Sequence, residues 1–396
     1  MAVFRAAKRT SVMDAPIRDV LGPARALERA GHAILKLNIG DPCKYDFRPP
    51  AELVEALQAE AGLGDYGDSE GDLLIREAIA RWEREGRGIA VAPDDIIFTG
   101  GVSEALQMLF GAMLEPGDEI LVPGPTYPQY LGVARYFGAT PVEYPSTAEN
   151  GWIPDLEAVR RLVTPRTKAL CVISPNNPTG AVYPKRVVEG LAKIAHEKGL
   201  VLVSDDIYNE LVFEGERAPS AASVPGPVVI LNGFSKNWLV PGWRAGYVAF
   251  RHAGELAEIR EAVLKQARSR LSAPLPAQRA LAKVLRPNAP HLADLRRRLG
   301  ERAELVAKRV AESPDLALVK PAGAFYSLIG IKDNPFPTDK EWVLGLLHEE
   351  KVLAVHGSGF GEAARNHFRI VNLPDPATLD EAMTRVVRYA AKARRR

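Results

Sequence analysis

Asn232-Gly-Phe-Ser-Lys-Asn-Trp-Leu-Val-Pro-Gly-Trp-Arg-Ala-Gly246 joins two apolar runs, Val228-Val-Ile-Leu231 and Tyr247-Val-Ala-Phe250. Runs this short and this rich in branched residues read as buried strands. The segment between them is a turn holding a lysine, Lys236, and eight residues on an arginine, Arg244. A lysine in an ordinary loop is a solvated charge. A lysine in a tight turn after a buried strand is partly desolvated, which lowers its pKa and frees its amine as a nucleophile. Which of these Lys236 is depends on what the other strands bring to the same place.

Upstream, further strand candidates alternate with helical patterns. The strands are 96–98, 119–122, 141–144, 169–173 and 200–203, and the helices are 103–113, 129–137, 155–163 and 184–198. Such alternation predicts an α/β fold with a mostly parallel sheet and helices on both faces. Helical stretches over 256–285 and 290–312 follow. Strand-like 324–331, a helix over 339–350, strand-like 352–355 and 368–371, and a last helix from about Ala377 then describe a smaller α+β domain. Near the start, Arg18 to Ala30 is helix-like, Ile34 to Ile39 strand-like, and 51–61 and 72–85 helical. The expected partition is an N-terminal arm over 1–45 joining the small domain, a large domain over 46–285 and a small domain over 286–396.

Composition narrows the function classes. The 396 residues are 46% hydrophobic and 25% charged with a net charge of +2, which suits an ordinary soluble protein and gives no case for nucleic acid. Neither a membrane span nor an apolar signal-peptide core is visible, so cytoplasmic residence is the expectation. Cys43 and Cys171 form no paired motif and the seven histidines have no ligand spacing, so neither a disulfide nor a metal is expected.

In open α/β sheets ligands bind beyond the carboxyl ends of the strands. Four polar features sit at such ends. Thr99-Gly-Gly-Val-Ser103 offers the free amides of Gly101, Val102 and Ser103 at a helix start, a phosphate site that is weak evidence alone. Ser174-Pro-Asn-Asn-Pro-Thr-Gly180 projects amides from a proline-fixed turn. Ser204-Asp-Asp-Ile-Tyr208 places Asp205 and Tyr208 three apart, whereas Asp206 reads as a helix cap. The fourth is the stretch with Lys236 and Arg244. Arg369, in His367-Phe-Arg-Ile-Val371, is either a surface charge or a carboxylate binder reaching in from the small domain.

A phosphorylated aldehyde that condenses with a lysine amine fits this set, and pyridoxal phosphate is the natural candidate. Asp205 would hold its ring nitrogen protonated, Asn177 and Tyr208 would bond its phenolic oxygen, and Ser103, Arg244 and the turn amides would clamp its phosphate. Tyr127 is open between stacking on the ring and packing in the core.

The joint set Asn-Asn-Pro-Thr-Gly, Asp-x-x-Tyr, Ser-Lys followed by Gly-Trp-Arg, and a late Phe-Arg resembles the class I/II aminotransferases of PLP fold type I over nearly the whole chain. Stretches such as Leu35-Lys-Leu-Asn-Ile-Gly40, Tyr66-Gly-Asp-Ser-Glu-Gly71 and Lys320-Pro-Ala-Gly-Ala-Phe-Tyr326 look most like microbial alanine aminotransferases. The resemblance implies that Lys236 carries the cofactor, that Ser235 joins the cofactor contacts, and that Arg369, Asn177 and the backbone of Gly40 bind substrate, with Arg18 also among the substrate contacts. It further implies a homodimer in which Tyr66 reaches the neighbouring subunit's phosphate. The activity implied is ping-pong transamination between L-alanine and 2-oxoglutarate. Other amino acid substrates, a β-elimination lyase and a non-enzymatic regulator are the competing readings. Two departures stand out: Gly233 where many members carry a phosphate-binding serine, and Ala15 where relatives often carry an aromatic.

Overall fold

A computed structural model describes residues 4–13, 16–215 and 217–395, so the departure at Ala15 lies outside the described residues. Seven strands form one sheet in the spatial order Ile96–Thr99, Gly246–Arg251, Val228–Gly233, Val201–Asp205, Thr167–Ile173, Glu119–Gly124, Thr140–Pro145. All are parallel except Gly246–Arg251, which runs antiparallel to both neighbours. The reversed strand has a consequence for chemistry. Its amino end meets the carboxyl ends of the others, so the whole 234–245 connection hangs from the edge where ligands bind.

Strand residues alternate between two cores. Leu121, Leu170, Leu202 and Ile230 enter one, and Ile120, Cys171, Val203 and Leu231 enter the other. Both faces are therefore covered, which is why these strands are apolar throughout. Val102–Met113, Pro128–Tyr136 and Ala257–Arg270 cover one face; Leu73–Arg87, Lys185–Glu197 and Leu275–Val284 contribute to the core on the other. Their ends are set locally. Asp72 caps Leu73–Arg87 by accepting from the Leu74 amide at 3.1 Å, and Gly88 at φ +68° ends it.

A second sheet is antiparallel, in the order Val355–His356, His367–Val371, Tyr326–Ile331, Leu316–Leu318. Its core holds Val306, Leu346, Phe368, Ile370 and Met383, with Trp342 stacked on Phe368 at 4.7 Å. The N-terminal Leu35–Lys36 pairs in parallel with Val352–Leu353. Helix His291–Ala311 serves both bodies: Leu292, Leu295 and Leu299 enter the large core, Val306 and Val310 the small one.

The helical stretch over 256–285 is two helices. Leu271, at φ +79°, follows the first, and Pro274 caps the second because proline cannot continue a helix. The strand over 352–355 is interrupted, since Leu353 pairs with the N-terminal segment and Val355 with Arg369. Among the described residues of the arm, strand pairing is confined to Leu35–Lys36, and the helix over 18–30 divides into Pro16–Asp19 and Leu21–Arg29.

Close backbone approach at the ligand edge depends on glycine. A Cβ on Gly246 would lie 2.7 Å from Gly101 Cα. Gly246→Ala should destabilise the fold by about 1–3 kcal/mol, the usual cost of forcing extra atoms into packed backbone. Denaturant unfolding reads this as a lowered midpoint; an unchanged midpoint would show that the strand and the glycine turn have room to part.

Candidate active site

The glycine turn after Ile96–Thr99 builds the first wall. Gly101, at φ +90°, caps helix Val102–Met113, whose first N–H groups have no partner within the helix. A Cβ on Gly101 would lie 2.6 Å from Arg244 Nη2, so only glycine lets that guanidinium approach. Arg244 is held by two carbonyls, donating from Nη1 to Pro241 at 2.9 Å and from Nη2 to Gly100 at 2.7 Å. Val102, Ser103, Ser235 and Arg244 line one cavity of about 680 Å³. Amides at a helix start, two hydroxyls and an arginine fork suit a phosphate.

The proline-fixed turn separates its two asparagines by task. Asn176 is consumed locally, with Oδ1 accepting from Thr179 Oγ1 at 2.9 Å and Nδ2 donating to Pro125 at 3.3 Å. Asn177 lines the cavity, and its Oδ1 accepts from Arg369 Nη1 at 3.0 Å. That bond joins the two sheets, because Arg369 comes from strand His367–Val371.

Asp205 ends strand Val201–Asp205 and is buried. Its Oδ2 accepts from the Tyr130 hydroxyl at 2.7 Å and its Oδ1 from the Ile207 amide at 3.2 Å. Desolvation pushes its pKa up to about 7 despite these bonds. Tyr208 shares a 2.8 Å hydrogen bond with the Tyr326 hydroxyl, and burial raises the pKa of both phenols. Tyr127 precedes helix Pro128–Tyr136 and also lines the cavity.

Lys236 projects from the other side. Its Nζ donates to the Gly40 carbonyl at 2.8 Å, and burial lowers its pKa to about 8, with Arg369 and Arg244 adding to the effect and Asp41 opposing it. Gly40 owes its identity to crowding, since a Cβ there would lie 2.3 Å from the Tyr326 hydroxyl.

Arg369 is 1% exposed, lies 4.5 Å from the Tyr326 ring and 4.7 Å from the Phe360 ring, and donates from Nη2 to the Asn38 carbonyl at 2.6 Å. Its Nε is buried without a partner. Among the described residues no carboxylate forms an ion pair with Arg369, and no cation forms one with Asp205. The cavity thus holds a buried cation, a buried acid and an uncharged-prone amine, each without an internal counter-ion. Such burial is costly unless a ligand supplies the missing partners. The orphaned Arg369 Nε, the uncompensated Asp205 and the glycine-lined amide cradle together fit a phosphorylated pyridine aldehyde and a carboxylate substrate.

Two expected residues stand apart. Arg18 is exposed on the short helix Pro16–Asp19 and reaches the cavity only at its lining. Tyr66 is 81% exposed and does not line the cavity of its own chain. Gly233 has a packing reason: a Cβ there would lie 2.9 Å from the Ala245 carbonyl oxygen, which leaves little room for a serine. Sequence reading missed Tyr130 and Tyr326. Tyr130 lies in the first turn of the helix that Tyr127 precedes, a proximity that was a usable signal. Tyr326 sits in a stretch noted only for its resemblance, and nothing local marks its hydroxyl.

Residues 32–386 match the family model described as aminotransferase class I and II. The chain is 34% identical to the glutamate-pyruvate aminotransferase AlaA of Haemophilus influenzae, covering 95% of this chain and 96% of that protein. It is 35% identical to an alanine aminotransferase of Mycobacterium tuberculosis, covering 98% and 94%. Among solved structures, an alanine aminotransferase from Pyrococcus furiosus superposes with a TM-score of 0.95 at 44% identity, covering 98% of this chain and 100% of that one.

The electrostatics can be checked in the cofactor-free protein. Labelling of Lys236 by trinitrobenzenesulfonate, followed by peptide mass spectrometry, should rise with pH about a midpoint near the pKa of about 8. A midpoint shared with an exposed lysine such as Lys185 would mean that the amine is solvated.

Proposed function

Because the chain belongs to the aminotransferase class I and II family, we propose that its substrates are L-alanine and 2-oxoglutarate, giving pyruvate and L-glutamate by a ping-pong route. The chain is an aminotransferase and its cofactor is pyridoxal 5′-phosphate. The observation that carries the reading is the co-location of Lys236, Asp205 and Arg369 in one cavity without counter-ions.

When bound, the cofactor supplies an electron sink for the pair released at the substrate Cα. The chain does the rest. Lys236 would be the residue that holds it, and its Nζ would take the Cα proton and later return one. Burial, which lowers the Lys236 pKa to about 8, makes the neutral amine accessible for that task. Asp205 carries the charge that keeps the ring nitrogen protonated; a cationic N–H beside it would draw its pKa back down. Asn177 and Tyr208 serve the phenolic oxygen and Tyr127 the ring face. Gly101, Val102, Ser103, Ser235 and Arg244 serve the phosphate. Arg369, helped by Asn177 and the Gly40 backbone, takes the substrate α-carboxylate.

The choice of alanine and 2-oxoglutarate draws support from the cavity wall. Ile17, Ile39 and Met13 line it with apolar surface suited to a methyl group. Arg18 lines the same cavity without an acidic partner among the described residues, a fit for a second carboxylate. The names of the relatives agree with this pair. A homodimer accounts for Tyr66, which on its own chain is exposed together with Leu73, Leu74 and Leu271. Tyr66 is then the residue given to the partner's phosphate site. No helix among the described residues is long and apolar enough to cross a membrane.

A panel of amino donors scored for 2-oxo acid and for ammonia tests this. Alanine and glutamate should lead, with little ammonia, and Lys236→Ala should lower the rate by at least about a hundredfold. Arg18→Ala should raise KM for 2-oxoglutarate about tenfold and leave KM for alanine nearly unchanged, as loss of one charged hydrogen bond predicts. Ammonia as the main product would replace transamination with elimination, and full turnover by Lys236→Ala would remove that residue from the chemistry.

A further inference from the structure

Asp206 follows Asp205 directly, yet the two carboxylates have separate surroundings. The partners of Asp205 are Tyr130 and the Ile207 amide at the cavity. Those of Asp206 lie away from it. Asp206 accepts from Ser204 Oγ at 2.8 Å, from Ser220 Oγ at 2.7 Å and from the guanidinium of Arg87. Arg87 also bonds both oxygens of Glu83 at 2.8 Å, and Glu83 accepts from the Tyr247 hydroxyl. The side chains of Arg87, Glu83 and Asp206 are only 4%, 0% and 3% exposed. None of the three lines the cavity.

A buried cluster of this kind is expensive, and well-packed apolar residues would serve stability equally well. Its placement suggests another use. Asp206 sits one residue from the acid on which the ring nitrogen depends. An uncompensated negative charge there would disfavour ionisation of Asp205. We infer that Arg87 and Asp206 are positioning residues for Asp205: Arg87 binds the Asp206 charge away from the cavity, so that Asp205 ionises and stays aimed at the ligand. Glu83, tied to Tyr247 on strand Gly246–Arg251, fixes Arg87 in that place. The inference rests on the transaminase reading above, which assigns Asp205 its role.

The other groups that bear on Asp205 are few. Helix Pro128–Tyr136 brings the Tyr130 hydroxyl, with Tyr127 just before it, and strand Thr167–Ile173 brings the Cys171 thiol. Lys236 lines the same cavity from the 234–245 connection. The printed side-chain bonds of Arg87 go to Glu83 and Asp206 and not to Asp205, on which the opposed charges of Arg87 and Asp206 act together.

The test reads Asp205 directly in the cofactor-free protein. Infrared difference titration follows the protonated carboxyl band, assigned by its loss in Asp205→Asn. Arg87→Gln should move the midpoint up by about one pH unit and Asp206→Asn should move it down by a similar amount, the scale set by one nearby charge at an effective dielectric of about 20. The double variant should return towards the wild-type value. The acidic limb of kcat/KM for the holoenzyme should move in the same directions. A network that merely holds the fold predicts lower stability in each variant with the midpoint unmoved, and that result overturns the inference. Asp206→Asn decides the matter alone where Arg87→Gln does not fold. Midpoints that move as stated in a protein without transaminase activity would sustain the electrostatic link and refute the activity.

Discussion

Three ionisable side chains without counter-ions share one cavity, and the rest of the molecule is arranged to hold them there. Asp205 is fixed by a strand end, Arg369 by a strand of the second sheet and Lys236 by the connection between two adjacent antiparallel strands. Asp205 and Arg369 are buried and Lys236 is partly so, and their pKa values shift in the directions desolvation dictates: the acid up, the amine and the guanidinium down. Each shift is a cost in the free protein and becomes affinity when a ligand brings the opposite charge. Site residues that strain the resting structure in this way are what catalysis by a bound cofactor needs.

The geometry that permits it is set by small residues. Gly101, Gly233 and Gly246 converge where three segments meet at the ligand edge, with a Cβ on any of them inside normal contact distance of backbone or of Arg244. That convergence seats Arg244 against the glycine turn and explains why a serine is missing at position 233. The second sheet closes the site from outside through the bonds of Arg369 to Asn177 and of Tyr326 to Tyr208, supplemented by Arg369 to the Asn38 carbonyl. Substrate recognition is therefore tied to the relation between the two sheets as well as to either one.

Much of this was legible in the sequence because it is written locally. Branched runs bounded by turns gave all seven strands of the large sheet, and strand-end position brought the segments that hold Asn177, Asp205 and Lys236 to one edge. What escaped is nonlocal. Tyr130 bonds Asp205 across 75 positions and Tyr326 bonds Tyr208 across 118, distances at which no pattern in one chain speaks. Asp206 read as a cap, whereas its partner is Arg87, 119 positions away. The long helix over 256–285 divided because Pro274 outweighs the apolar periodicity on either side. Arg369 could be read as a surface charge until the second sheet was seen to bury it.

A crystal structure of the protein with pyridoxal phosphate and a non-reactive dicarboxylate bound tests the account most directly. The account predicts the ring nitrogen within hydrogen-bond distance of Asp205, the aldehyde carbon bonded to Lys236, and one carboxylate paired in fork geometry with Arg369. A cofactor seated with Asp205 facing solvent, or a carboxylate bound elsewhere while Arg369 stays unpaired, would contradict it.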